Sequence, residues 1–510
     1  MSSPPEHRFC IITGTGFAGI IAACTFLRTR TLSYSDFLLI DRNTNYGGVW
    51  WSNTYPGAAC DIHSQIYSIS WAPSPFWERY FGSRNEIQAY LEGVARRYQL
   101  ERSTRFGVEI EEARWDEDEL LWVVDTRDVA TGTKKRRTCN LLISTAGQFQ
   151  TPKRLSLPFS TLSPTSDSPS HPLFHQWHTS SWPSHATATL TNARVAIIGT
   201  GPSAAQLIPK IYPLVKSLVI YQRSPSFCVP RNDFKMSEWR KWVFARVPGV
   251  LRGWRGWLGF IGGIVSRRIF DPTSRLHKAA ISIANTHLDN QVHDPVTREK
   301  LRPHDPFGCK RPLILDDYYP VFNEPNVTLV TDPVVRLGSH GIVSRRKEDG
   351  EEEEREIDVL IWGTGYTPNL PGSAFPCYGV GSRLLAESYQ PEGYSLYGVG
   401  AAGFPNFLNF LGPNSINFER SMIELLEKQA EYFVQVAAWL KGRTRRGDRV
   451  AVMPREEVAK AWTESLREGQ RKHPAAGETC QSYYKLPSGA IYYYPYRMST
   501  YYRLIRRPDF

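Results

Sequence analysis

No two of the eight cysteines form a Cys-x-x-Cys pair; they stand apart at positions 10, 24, 60, 139, 228, 309, 377 and 480. That absence excludes zinc ribbons and thioredoxin-type redox pairs. In a chain large enough to bury its own core, the wide spacing argues against a disulfide scaffold and for a reducing, cytoplasmic setting. A charged leader of the usual form and a clear signal-peptidase site are both missing, so no secretory signal peptide is expected. Residues 9–27 are nineteen uncharged residues, close to bilayer-spanning length, but Thr13, Gly14, Thr15, Gly16 and Gly19 interrupt them in an ordered pattern. A second apolar patch, Gly256 to Ser266, is eleven residues long and too short to span. It reads as a buried or tunnel-lining helix, in preference to an interfacial membrane contact through residues 249–270 or a dimer face. No repeat of solenoid period occurs. The formal charge is +11, yet no nucleic-acid-reading motif accompanies it, so no nucleic-acid partner is expected. The runs Lys134 to Arg137 and Glu351 to Glu356 are neither terminal nor long and read as solvated hairpin tips. His171, His175 and His178 lack a matching Cys or carboxylate set, so no metal is expected.

What is present is a chain of 510 residues with 41% hydrophobic, 13% aromatic and 22% charged residues, a globular composition long enough for several domains. Phe9-Cys10-Ile11-Ile12, a glycine turn at Gly14 to Gly19, an Ala/Ile-rich helix and a strand from Asp36 to Ile40 form a βαβ unit. A second unit runs Val195 to Ile198, Gly199-Thr200-Gly201-Pro202-Ser203-Ala204, a helix, then Ser217 to Tyr221. Residues 156–192, rich in Ser, Thr, Pro and His, read as a loop-rich connector. From 229 to 307 the pattern is helical and basic, and Asp358 to Trp362 enters a third glycine turn, Gly363-Thr364-Gly365. The fold class expected is α/β, with two Rossmann-like dinucleotide-binding domains and a helical insertion. The expected segments are 1–150 and 366–510 for the first domain and its C-terminal cover, 151–192 for the linker, 193–228 and 308–365 for the second domain, and 229–307 for the insertion.

In such turns the first glycine permits the bend, the second lets backbone approach a pyrophosphate, and the third lets helix and strand pack closely. The helix N-terminus then faces phosphate. Asp41, 22 residues beyond Gly19, ends the first unit's second strand, where a carboxylate suits a ribose diol such as that of FAD. Arg223, nineteen residues beyond Ala204, takes the equivalent place in the second unit, where a guanidinium selects the 2′-phosphate of NADPH. FAD with NADPH leaves reductases, disulfide oxidoreductases and oxygenases, and the missing Cys-x-x-Cys removes most disulfide chemistry.

The segment Gly47-Gly48-Val49-Trp50-Trp51-Ser52-Asn53-Thr54-Tyr55-Pro56-Gly57-Ala58-Ala59-Cys60-Asp61 resembles the flavin-proximal fingerprint of Baeyer–Villiger monooxygenases at every fixed position. Tyr221-Gln222-Arg223-Ser224-Pro225, Val229-Pro230-Arg231, Lys310-Arg311-Pro312, Gly363-Thr364-Gly365-Tyr366 and Gly412-Pro413-Asn414-Ser415 extend the resemblance over most of the chain, and the Ser/Pro-rich linker and basic helical insert resemble those of fungal biosynthetic members. The linker fingerprint departs from the family pattern: His178, Trp182 and Pro183 align, but Pro172 and Phe174 replace the family's Phe and Gly. Near the C-terminus Tyr483, in Ser482-Tyr483-Tyr484, stands where the family carries Trp.

The resemblance implies oxygen insertion next to a ketone, using FAD, NADPH and O2 through a C4a-peroxyflavin, on a bulky secondary-metabolite ketone. Heteroatom oxygenation or hydroxylation by the same flavin species and an uncoupled NADPH oxidase are the competing readings. It implies that Arg311 is the catalytic cation and that Asp61 holds it facing the flavin. Gly14, Gly16, Phe17, Gly19, Asp41, Gly48, Val49, Trp50, Asp61 and Tyr67 are then expected to bind FAD. Gly199, Thr200, Gly201, Ser203, Ala204, Arg223, Ser224, Lys310 and Tyr483 are expected to bind NADPH, with Ala59 and Cys60 bordering the nicotinamide. Oligomeric state and the particular ketone are not encoded in these motifs.

Overall fold

The computed structural model describes residues 5–160, 172–367, 374–480, 485–486 and 488–510. The strand Glu6–Thr13 is buried from Phe9 onward, as an apolar run covered on both sheet faces should be. It lies between Phe37–Ile40 and Lys134–Ser144, parallel to both, with Ile12 opposite Leu39 on one side and Ile143 on the other. An antiparallel meander of Val108–Asp116, Leu121–Asp128 and Lys134–Ser144 extends this sheet. Late in the chain, Cys377–Tyr378 adds to Val108–Asp116 and Phe407–Asn409 adds to Lys134–Ser144. The first sheet is therefore built from both ends of the sequence.

The second sheet is wholly parallel, in the order Val327–Val330, Ser217–Tyr221, Arg194–Ile198, Val359–Trp362, His175–His178. Its edge strand His175–His178 corrects the expectation that residues 156–192 hold no packed element. Trp177 is buried in the core of this half, and Phe174, 8% exposed, packs with Trp362 and Leu360. In the long helix Met422–Arg445, buried Ile423, Leu426, Ala430, Phe433, Ala437 and Leu440 recur in steps of three and four, a continuous apolar stripe. That stripe shares a core with the nearly all-apolar helix Phe17–Arg28. Truncating Phe433 to Ala there costs about 3–5 kcal/mol.

Three further expectations are corrected. Lys134 to Arg137 is no hairpin tip but the start of a strand, where Arg136 pairs with Asp125 at 2.9 Å and Arg137 is buried. Glu352–Glu356 is likewise a strand, antiparallel to Gly341–Arg345, with Arg345 and Arg336 on Glu352; alternating charges find partners across strands. Cys309 and Cys480, 171 positions apart, are joined in a disulfide with Cα atoms 5.7 Å apart, because the C-terminal segment folds back over the Cys309–Arg311 stretch. Wide spacing in sequence does not prevent meeting in space. The other six cysteines are free and buried.

The insertion forms helices Glu238–Arg246, Val250–Ile269, Arg275–Gln291 and Pro295–Leu301. The reading of residues 256–266 as a buried helix does not hold: only Leu251, Leu258 and Gly263 of Val250–Ile269 are buried. Among the described residues, no helix is long and apolar enough to cross a membrane.

Candidate active site

The first glycine turn is held by contacts that tolerate no side chain. Gly14 has φ +111°, and a Cβ at Gly19 would stand 2.0 Å from the Gly14 carbonyl oxygen, so helix and strand pack at backbone distance. Gly48, with φ +56°, crosses the turn so closely that its Cβ would meet the Gly16 Cα at 2.9 Å. Asp41, 8% exposed, accepts from the Thr15 amide at 2.8 Å and the Thr15 hydroxyl at 2.7 Å through Oδ2, and from the Asn43 amide at 2.8 Å through Oδ1. The strand-end carboxylate is thus fixed beside the glycine turn.

Beyond Gly48 the short helix Val49–Ser52 presents Trp50, whose indole N–H donates to the Tyr67 hydroxyl at 3.2 Å. Tyr67 also makes an edge contact with Phe17, ring centroids 5.2 Å apart. Burial pushes the Tyr67 phenol well up from its ordinary value, and the Cys60 thiol likewise, with the Asp61 carboxylate adding to the shift at Cys60. Both groups stay neutral at neutral pH, so Cys60 is no thiolate nucleophile.

The second turn repeats the first. Gly199 has φ +105°, its Cβ would lie 2.5 Å from the Gly363 carbonyl oxygen, and a Cβ on Gly363 would lie 2.9 Å from that of Ala204. A Cβ on Gly201, by contrast, would meet no atom of the chain within 4 Å. Space left open at the N-terminus of helix Pro202–Ile211 is what a pyrophosphate needs. Arg223 is exposed just past the strand Ser217–Tyr221. Next to it, Ser224 accepts from the Lys310 ammonium at 2.6 Å, and Lys310 also pairs with Asp305 at 2.8 Å.

The two halves meet along the segment Tyr55 to Asp61. Tyr55 donates to the Gln206 side-chain oxygen at 2.9 Å, and the Gln206 amide donates to the Ala59 carbonyl at 3.0 Å. A Cβ on Gly57, φ +86°, would strike the Gln206 carbonyl oxygen at 2.5 Å. Burial pushes the Tyr55 phenol up to about 12, so it remains a donor. Arg231 donates to the Cys60 carbonyl at 3.1 Å and sits over the Phe81 ring, 5.0 Å from its centroid. One residue on, Asp61 accepts from Arg311 at 2.7 Å. Each turn therefore offers a dinucleotide cradle, and a carboxylate–guanidinium pair closes the seam between them.

Comparison with known proteins places this geometry. The chain is 48% identical over 505 residues to the FAD-binding monooxygenase BOA2 of Botryotinia fuckeliana, covering 99% of this chain and 93% of that one. It is 34% identical to a Baeyer–Villiger monooxygenase of Pseudomonas aeruginosa, covering 95% and 87%. The chain belongs to the Baeyer–Villiger monooxygenase family. Its fold matches the closed crystal structure of cyclohexanone monooxygenase with a TM-score of 0.82 at 24% identity, over 99% of this chain and 97% of that one. The polycyclic ketone monooxygenase of Thermothelomyces thermophila matches with a TM-score of 0.82 at 22% identity, over 99% and 88%. A family model described as L-lysine 6-monooxygenase/L-ornithine 5-monooxygenase matches residues 75–238.

In this family member the expected residues fall into two groups around one seam. Gly14, Gly16, Phe17, Gly19, Asp41, Gly48, Trp50 and Tyr67 gather at the first turn, with the Val49 side chain pointing outward, 42% exposed. Gly199, Thr200, Gly201, Ser203 and Ala204 gather at the second, with Arg223, Ser224 and Lys310 nearby in chain and space. Tyr483 lies outside the described residues, as does His171. His178 is bonded through Nε2 to the Gly365 carbonyl at 2.8 Å and through Nδ1 to Ser180 at 2.7 Å, and burial holds its pKa below the ordinary value. Sequence reasoning missed Tyr55 and Gln206 as a cross-seam pair and gave Arg231 no role. No local signal in the sequence marks that pair.

Proposed function

We propose that this enzyme converts a ketone to an ester or lactone, consuming NADPH, a proton and O2 and releasing NADP+ and water. The ion pair Asp61–Arg311 carries the reading, since it joins the fingerprint strand Ala59–His63 to the segment that brings Lys310 to Ser224. The backbone-only turn around Gly14, Gly16 and Gly48 and the fixed Asp41 fit the pyrophosphate and ribose of FAD. The open space at Gly201 and the exposed Arg223 fit NADPH. When bound, the reduced flavin supplies the reaction with O2, and NADPH supplies the hydride that reduces it.

The remaining work belongs to the chain's own side chains. Arg311 stays charged at any working pH and stabilises negative charge that develops on oxygen during attack on the ketone carbonyl. Asp61 orients it, and Arg231 fixes the backbone of that strand at Cys60. Tyr55 and Gln206 hold the segment on the second nucleotide fold, which would keep the two cofactor sites in fixed register. Lys310 and Arg223 would hold the 2′-phosphate. In this reading residues 1–150 and 366–510 form the FAD half with its cover, 151–192 the linker, 193–228 and 308–365 the NADPH half, and 229–307 the insertion. The substrate is a bulky ketone from secondary metabolism, in keeping with the fungal relative.

The test is turnover of the purified yellow holoenzyme with NADPH under air, offering cyclic ketones and thioethers side by side. Lactone formation matched to NADPH consumption supports the proposal. Sulfoxide as the dominant product, with no lactone, selects the second reading, heteroatom oxygenation, which the match of residues 75–238 to lysine and ornithine monooxygenases favours. Stoichiometric hydrogen peroxide with every ketone selects an uncoupled oxidase.

A further inference from the structure

We propose that the outer face of the helical insertion docks on an anionic membrane surface, with helix Val250–Ile269 lying in the plane of the interface. This inference goes beyond the ketone assignment and does not depend on it.

Bulky apolar side chains of the two consecutive helices point into solvent: Trp239 (70% exposed), Trp242 (58%), Trp257 (52%), Phe260 (59%), Ile261 and Val265. Phe260 and Ile261 lie three and four positions after Trp257, and Val265 four after Ile261, so they form a stripe along one side. The two helices touch through Phe244 and Trp254, ring centroids 6.5 Å apart, and Trp254 stacks on Trp257 at 5.1 Å. Leaving so much aromatic surface in water is unfavourable by about 25 cal/mol per Å2, and patches of this kind mark contact sites.

The charges name the partner. From Trp239 to Phe270 the chain has seven Arg and Lys and no Asp or Glu. Arg255 turns inward to the Gln65 and Ser68 carbonyls, Lys241 pairs with Glu78 and Glu238, and Arg267 approaches Glu419 at 4.0 Å. Among the described residues, exposed Arg246, Arg252 and Arg268 have no carboxylate in ion-pair range. A second copy of this face would set those cations against themselves, which opposes a symmetric dimer. Phosphatidylserine-type headgroups neutralise them, while Trp and Phe enter the boundary between headgroups and acyl chains. No helix of the described residues is suited to span, so the contact is peripheral. At its C-terminal end the helix leads to Phe270, whose ring packs near Phe307, Phe418 and His473, next to the Cys309–Arg311 stretch.

The experiment is co-sedimentation of FAD-loaded enzyme with vesicles of phosphatidylcholine, alone or with roughly a third phosphatidylserine. Binding is expected to the mixed vesicles only, and to fall as salt rises from about 0.05 to 0.5 M. The double variants W257S/F260S and R252E/R268E are each expected to lower the partition coefficient by about tenfold or more while retaining bound flavin and circular dichroism. No binding to mixed vesicles overturns the proposal, as does binding that neither variant alters. A concentration-dependent dimer in sedimentation velocity, abolished by W257S/F260S without vesicle binding, also overturns it and assigns the face to self-association.

Discussion

Arg311 and Asp61, 250 positions apart in the chain, meet at 2.7 Å with side chains 38% and 26% exposed. At that exposure the pair contributes at most about 1 kcal/mol to folding. In the proposed mechanism its role is chemical, orienting the guanidinium, and its weight in folding is small. Arg311→Ala is expected to keep its flavin and to unfold within about 1 kcal/mol of the parent, while NADPH oxidation continues. Ester formation should fall by roughly 100- to 1000-fold, the cost of one lost charge-stabilising donor. Product analysis alongside NADPH consumption reads this directly; undiminished ester yield removes Arg311 from the mechanism.

Arg223 and Lys310 are not equivalent. Lys310 divides its charge between Ser224 and Asp305, whereas Arg223 is exposed at the strand end. Arg223→Ala should therefore narrow the preference for NADPH over NADH by about 1.5–3 kcal/mol, the range of a charge-assisted hydrogen bond. Lys310→Ala should narrow it less. Ratios of kcat/KM for the two cofactors measure both, and an unchanged ratio in the Arg223 variant refutes its assignment.

Gly201 and Gly19 stand in opposite surroundings. A Cβ on Gly19 collides with backbone, whereas one on Gly201 meets nothing in the chain. Gly19→Ala is expected to yield destabilised protein that lacks flavin. Gly201→Ala should stay within about 1 kcal/mol of the parent in stability, the scale of an N-cap change, keep its FAD, and raise the KM for NADPH by about tenfold or more. If that KM does not move, the open space is not the pyrophosphate site.

The glycine turns were legible in the sequence because their constraint is local: a strand, a bend and a helix within a few residues. The seam was legible only in part. Asp61 and Arg311 were named from motif resemblance, but Tyr55 and Gln206 carry no local mark, since their partnership exists only once two domains touch. The Cys309–Cys480 bond was hidden for the same reason. Phe174 shows the opposite case: a departure from the family's linker pattern is occupied by a side chain packed in the core beside Trp362. The insertion misled because its apolar content, read without its neighbours, looks like core. Its helix has too few packing partners to bury both sides.

His473 gives the enzyme a specific acid sensitivity. The ring is 8% exposed, packs on Tyr493 at 4.4 Å and Phe270 at 5.9 Å, accepts from the Ala475 amide through Nδ1, and has no partner at Nε2 among the described residues. Burial lowers its pKa from 6.5 to about 4. Below pH 6.5 the unfolded chain takes up a proton here that the folded chain refuses until about pH 4. Stability from this group is thus complete above 6.5 and declines as pH falls toward 4. Between about pH 7.5 and 5 the loss amounts to about 2 kcal/mol. His473→Phe keeps an aromatic ring in place and removes the titration, at the cost of the Ala475 contact, about 1–2 kcal/mol at neutral pH. Urea unfolding at the two pH values should show the variant losing about 2 kcal/mol less than the parent on acidification. Equal losses would mean that His473 protonates as freely in the folded protein as in the unfolded chain.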